Sequence, residues 1–143
     1  MNEFSHIVEK LPYGKEFLFV DQLLSVDENG VTGKFKFDKN FDFYEGHFVN
    51  NPITPGVILT ECMAQIGVVC LGIFLIGETR MDMKIALTST EMEFLKPVAK
   101  LEEVIVKSEK IYFRFNKLKC RVTMYNSLNE EVCTGTISGM ISS

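Results

Sequence analysis

The sequence predicts an α+β fold in which one antiparallel β-sheet wraps around a long central α-helix. Three observations predict it. Between Gly46 and Gly77, thirty-two residues hold one carboxylate, Glu61, one imidazole, His47, and no lysine or arginine. A helix apolar on nearly all faces, as residues 62–77 would form, must be covered by the rest of a soluble fold. The chain on either side reads as strands, with apolar and polar residues alternating and turn residues between them. The order is helix, two strands, long helix, four strands, with no repeat and no linker, so a single domain over residues 1–143 is expected.

Each element has a local reason. A short amphipathic stretch at the N-terminus carries His6, read as a surface or capping residue. Phe17 to Val26 reads as the first strand, and Asp27-Glu28-Asn29-Gly30 as a turn, Asn-Gly being a strong hairpin signal. Val31 to Phe37 returns as the second strand, its Lys34-Phe35-Lys36-Phe37 alternating polar and apolar. Pro52 and Pro55 then forbid a helix across the following loop. Thr54 before Pro55 predicts an N-cap with proline at the first helical position. After the helix, strands are expected over Lys84 to Leu95, Val104 to Phe115, Leu118 to Tyr125 and Glu131 to Ile141, with a turn near Asn126–Asn129.

Composition narrows the class. At 143 residues with 46% hydrophobic content the chain can bury a core of its own. Cys62, Cys70, Cys120 and Cys133 form no CxxC and show no metal spacing, so free thiols in a reducing cytoplasm are expected. With His6 and His47 the only histidines, a His-rich metal site is excluded. The uncharged run of sixteen residues falls short of the roughly twenty that a bilayer span needs, and Gln65, Gly67 and Gly72 interrupt it. The N-terminus lacks a basic stretch followed by an apolar one, so no signal peptide is expected. A cytoplasmic protein without a membrane span is the expectation.

Function is concentrated in residues 46–65. An ionised carboxylate in an apolar segment loses several kcal/mol of solvation unless something offsets it. Glu61 therefore reads as a proton-carrying group, with His47 fourteen residues earlier as a second. The backbone N–H groups of Gly56 and Val57 would lie in the first turn of the helix, at the positive end of its dipole. That is where a carbonyl oxygen gaining negative charge is stabilised. Gln65 stands beside Glu61 at i+4 on the same face.

This segment closely resembles the active-site stretch of the FabZ-type β-hydroxyacyl-[acyl-carrier-protein] dehydratases of the hotdog-fold superfamily. The matching residues are Gly46-His47-Phe48, a short proline-containing loop, Pro55-Gly56-Val57, and Glu61-Cys62-Met63-Ala64-Gln65. Leu11-Pro12, Phe17-Leu18-Phe19-Val20-Asp21 and Phe94-Leu95-Lys96-Pro97-Val98 extend the likeness from about Leu11 to the C-terminus. A Glu rather than an Asp favours the FabZ branch over the FabA branch. Two departures stand out: Tyr13-Gly14 where the family usually has His-Arg, and Ala99-Lys100-Leu101 where it usually has Pro-Gly-Asp. They suggest a dehydratase serving a specialised polyene or polyketide-like pathway rather than housekeeping fatty-acid synthesis.

The resemblance implies a hotdog fold and reversible dehydration of a (3R)-3-hydroxyacyl thioester to a trans-2-enoyl thioester. His47 would take the proton next to the thioester carbonyl, Gly56 N–H would hold that carbonyl, and Glu61 would protonate the departing hydroxyl. The reversed assignment of the two proton roles is open at this stage. Gln65 would orient Glu61 or a water, and no metal or other cofactor is called for. The resemblance also implies a homodimer whose sites take His47 and Glu61 from different subunits, with a trimer of dimers as a larger assembly.

Charge suggests the partner. From Lys96 to Arg121 there are eight basic and three acidic residues in a chain of net charge −4. Lys96, Lys100, Arg114, Lys117, Lys119 and Arg121 are the candidate docking residues for an acidic acyl carrier protein. Solvation of exposed strand faces is the competing reading of those lysines. Nucleic-acid binding is disfavoured by the acidic balance. Two rival functions remain, a hotdog acyl thioesterase and a non-catalytic dehydratase-like partner subunit.

Overall fold

Burial of the apolar stretch organises everything else. In the computed structural model, which describes residues 3–38, 40–77 and 84–142, the stretch forms one helix over Gly56–Ile76, 21 residues long. It is long and apolar enough to cross a membrane, so the argument from length made on the uncharged run alone does not hold. The argument from wrapping does: 72% of its most apolar window is buried within the protein. Cys62, Met63, Ile66, Val68, Cys70 and Leu71 are all fully covered, each large apolar side chain contributing about 1.5–3 kcal/mol.

We label the helices α1 (Ser5–Glu9), α2 (Phe43–Gly46) and α3 (Gly56–Ile76). The strands are β1 (Gln22–Asp27), β2 (Gly30–Lys36), β3 (Lys84–Phe94), β4 (Glu103–Arg114), β5 (Lys117–Tyr125) and β6 (Glu131–Ser142). All neighbours pair antiparallel in the order β1-β2-β4-β5-β6-β3. This is the hotdog arrangement, a sheet curled about α3. His6 is exposed on α1. The expected first strand is shortened: Lys15–Phe17 is a 3-10 turn and pairing begins only at Gln22. The cause lies in α3, where the Gln65 side chain takes the Phe17 carbonyl and the Phe19 N–H that a strand neighbour would have taken.

Sheet and helix meet through alternation. On β5, Leu118, Cys120, Val122 and Met124 face inward, and on β2 Val31 and Phe35 do so. Phe19, Phe35, Phe37 and Phe41 form an aromatic cluster beside them, with Phe19 and Phe35 edge-to-face at 5.7 Å. Residues Gln65–Cys70 of α3 wind as a π-helix. There the Ser108 hydroxyl of β4 donates to the Gly67 carbonyl at 2.9 Å. A Cβ at Gly67 would meet Val122 and Ser108 side chains at 3.0–3.1 Å, so glycine permits this close approach of helix to sheet.

β3 ends one side of the sheet. It is eleven residues long and mostly exposed, including Leu87 and Phe94. A long edge strand with apolar side chains is a ready template for pairing with another strand.

All four cysteines are free and buried. Burial pushes the Cys120 and Cys133 thiols up to about 11 from the ordinary 9.0. Above pH 9 the unfolded chain loses these protons while the folded one keeps them, so stability is full below pH 9 and falls as pH rises towards about 11. Urea unfolding midpoints measured from pH 8 to pH 11 should fall, and the Cys120→Ala/Cys133→Ala variant should show a shallower fall.

Candidate active site

His47 is fixed by its own loop. The carbonyl of Phe43 accepts its backbone N–H as α2 ends. The Ile53 N–H donates back to the His47 carbonyl at 2.8 Å, and the His47 ring Nδ1 lies 2.9 Å from the Ile53 carbonyl oxygen. A carbonyl only accepts, so Nδ1 carries the hydrogen and Nε2 bears the lone pair in the neutral ring. Nε2 has no hydrogen-bond partner among the described residues. Between the two clamped residues, Phe48 and Asn51 exchange backbone bonds of 2.9 Å around Asn50, whose φ of 62° is a conformation asparagine tolerates. The ring stacks on Phe48 with centroids 4.2 Å apart.

The start of α3 differs from the sequence expectation. Pro55 occupies the N-cap position and Gly56 opens the helix, with no side-chain cap. Thr54 cannot cap, because its hydroxyl lies 2.6 Å from the Tyr44 hydroxyl and its N–H donates to Val98. The loop is thereby tied to α2 and to the segment after β3. The ladder begins with Ile58 and Leu59, both donating to the Pro55 carbonyl. That leaves the Gly56 and Val57 N–H groups outside it, at the positive helix end, as expected for an anion-stabilising turn. A Cβ at Gly56 would stand 3.1 Å from the Phe94 ring, which covers this turn.

Glu61 is half-buried one turn on, and Gln65 holds it. The fully buried Gln65 amide donates to Glu61 Oε2 at 3.0 Å and to the Phe17 carbonyl at 2.9 Å, and its Oε1 accepts the Phe19 N–H at 2.8 Å. One side chain thus aims the carboxylate and anchors the segment before β1. Tyr13, noted in the sequence only as a departure from family pattern, stands close enough to feel Glu61. Burial first, and then the negative field of Glu61, push its phenol up to about 12, so it stays a hydrogen-bond donor at neutral pH.

Within one chain, His47 and Glu61 open into different clefts. His47 shares a cleft of about 350 Å³ with Gly56, Phe94, Lys96 and Pro97. Glu61 shares another of about 400 Å³ with Val57, Thr60, Leu87, Met92 and Phe94. Phe94 walls both, a role that its place in Phe94-Leu95-Lys96-Pro97 did not announce.

The six candidate docking cations also divide. Lys96 and Lys100 lie near His47, Lys96 paired with Glu130 at 3.0 Å and Lys100 bonded to Asn40 at 2.9 Å. Arg114, Lys117 and Lys119 lie at the opposite end of the sheet, with Arg121 further along β5. Eight residues of β5 separate the two ends, about 26 Å at strand rise. Sequence proximity hid this split because β4 and β5 each run the full length of the sheet.

Fold and loop geometry together define a hotdog protein with an imidazole and a carboxylate placed about one helix start. The family model of the FabA-like domain matches residues 11–131, and the chain belongs to that family, with FabZ-type relatives. The curated 3-hydroxyacyl-[acyl-carrier-protein] dehydratase FabZ of Acinetobacter baylyi is 30% identical over 141 residues, covering 97% of this chain and 87% of the relative. Among solved structures, a dehydratase heterocomplex from Xenorhabdus doucetiae aligns with a TM-score of 0.77 at 10% identity, over 96% of this chain and 91% of that one. A hypothetical thioesterase with coenzyme A from Streptococcus pneumoniae aligns at 0.62 and 12% identity, over 85% of each chain. At such identities the structural likenesses speak for the fold alone.

Replacing Gln65 by Leu strands the Phe17 carbonyl and the Phe19 N–H at once. The variant should lose about 2–4 kcal/mol in urea unfolding, whereas Lys119→Gln should leave the midpoint unchanged.

Proposed function

We propose that this chain dehydrates a (3R)-3-hydroxyacyl thioester borne on an acyl carrier protein to the trans-2-enoyl thioester, as a hydro-lyase. The observation that carries the reading is the His47 ring, whose Nδ1–H is committed to the Ile53 carbonyl so that Nε2 remains the basic nitrogen beside Gly56. The name of the Acinetobacter relative supports the substrate class.

In this reading Nε2 of His47 takes the proton from C2 of the substrate. The electron pair moves toward the thioester carbonyl, whose growing charge the N–H of Gly56 and the dipole of α3 stabilise. As the C2–C3 double bond forms, the C3–O bond breaks and the hydroxyl leaves as water with the proton held by Glu61. The His47 contact to Ile53 persists in both protonation states, so the ring keeps its orientation through the cycle. Proton return from His47 to Glu61, directly or through water, restores the site. Gln65 keeps the reacting oxygen of Glu61 in place. The buried thiols fit a reducing, cytoplasmic setting.

The two clefts support a dimer with shared sites, His47 of one subunit working with Glu61 of the other. The exposed β3 edge, beside the Glu61 cleft, is the natural pairing surface. A trimer of dimers is the larger assembly compatible with this.

The test is mass spectrometry of a 3-hydroxyacyl-carrier thioester incubated with wild type, His47→Ala and Glu61→Gln. Wild type should remove one water, and each variant should be slower by about 10²–10⁴-fold, the usual worth of a general acid or base. Release of free acid would instead identify a thioesterase, and carrier binding without any conversion a non-catalytic subunit.

A further inference from the structure

The β4–β5 hairpin ends in two residues that the turn chemistry does not favour. Arg114 pairs with Lys117, leaving Phe115 and Asn116 as a two-residue loop with φ of 51° and 63°. Such turns select Asn-Gly or Gly, and an aromatic side chain in the left-handed region is costly. Phe115 is nevertheless there, 92% exposed, with Ile111 at 51% and Met140 at 40% beside the tip. The flanking charge has one sign. Residues 110–129 hold five basic side chains, Lys110, Arg114, Lys117, Lys119 and Arg121, and no acid. The strands next to the tip, residues 84–90 and 132–142, contain no acid either and add Lys84. The Arg114 guanidinium is propped 4.5 Å over the Tyr112 ring. A chain of net charge −4 has thus gathered a purely cationic rim around an exposed aromatic residue at one end of its sheet.

In a single subunit this end lies far from His47. Pairing two β3 edges antiparallel about a two-fold axis reverses that. The Phe94 end of one β3 then meets the Lys84 end of the other, and Lys84 pairs with Ser142 beside Met140 and Lys117. The hairpin of the second subunit comes within three strand spacings, about 14 Å, of the β3 end that carries the first subunit's His47 cleft. Lys96 and Lys100 of the first subunit flank the same cleft.

We propose that the Phe115 hairpin is the docking element for the acidic acyl carrier and that it acts in trans. Arg114 and Lys117 steer the acidic surface, Phe115 anchors in an apolar cleft of the carrier, and the thioester enters the site formed with the neighbouring subunit's His47. This inference rests on the dehydratase reading and its shared-site dimer. It makes the hairpin travel with the subunit that supplies Glu61.

The experiment compares two substrates on wild type and on Phe115→Ser/Arg114→Glu/Lys117→Glu: the acyl group on the carrier protein, and the same acyl group on free pantetheine. The hairpin variant should lose at least about tenfold in kcat/KM on the carrier, in line with lost electrostatic steering, with little change on pantetheine. Equal kcat/KM for both proteins on the carrier would overturn the proposal, as would equal loss on both substrates. Binding of wild type to phosphatidylglycerol vesicles that the variant loses, with unchanged carrier kinetics, would reassign the hairpin to a lipid surface. Failure of wild type on both substrates would refute the dehydratase reading instead. Mixed dimers test the trans arrangement. Wild type joined to a chain carrying Glu61→Gln and the hairpin changes should keep one site with normal carrier kinetics. Joined to a chain carrying His47→Ala and the hairpin changes, its one remaining site should be slow. The reverse pattern would overturn the trans assignment.

Discussion

A helix with no charge over its last fifteen residues cannot stand in water, and its coverage dictates this structure. Six strands supply that coverage by curling around α3, with small residues such as Gly67 where helix and sheet come closest. Only the first two turns of α3 reach the surface of the subunit, and there Val57 and Glu61 replace the apolar pattern. The chemistry sits at the one place where the buried helix emerges. Its dipole end and its single carboxylate are held in a frame that the hydrophobic effect makes rigid.

Gln65 links this frame to the site. It is polar, fully buried and bonded to two backbone groups and to Glu61, so the fold of the chain before β1 and the aim of the carboxylate depend on the same amide. Such an arrangement costs the carboxylate little freedom on catalysis, because its partner is fixed by groups unrelated to the reaction. His47 is treated in the same manner from the other side, by a carbonyl in its own loop.

Much of this was legible from the residues. The hairpin at Asn29-Gly30, the later strands and the long helix follow from periodicity and turn chemistry, and the Glu61–Gln65 contact follows from i,i+4 spacing. Other features were not. Phe17 to Phe19 has strand composition, but a side chain 46 to 48 residues away claims its backbone. Thr54-Pro55 has cap composition, but Tyr44 takes the hydroxyl. Lys96 and Lys117 look like members of one basic cluster until antiparallel pairing sends them to opposite ends of the sheet. In each case a long-range contact overrode a local signal that was chemically sound.

The central claim is that His47 and Glu61 serve one site from two subunits, since in one chain they line separate clefts. The direct measurement is complementation: co-express His47→Ala and Glu61→Gln chains with different tags, isolate the mixed dimer through both tags, and assay dehydration. Each parent dimer should be inactive, and the mixed dimer should regain activity, because one of its sites combines the intact His47 with the intact Glu61. A mixed dimer as inactive as its parents would contradict the account and return both residues to a single chain.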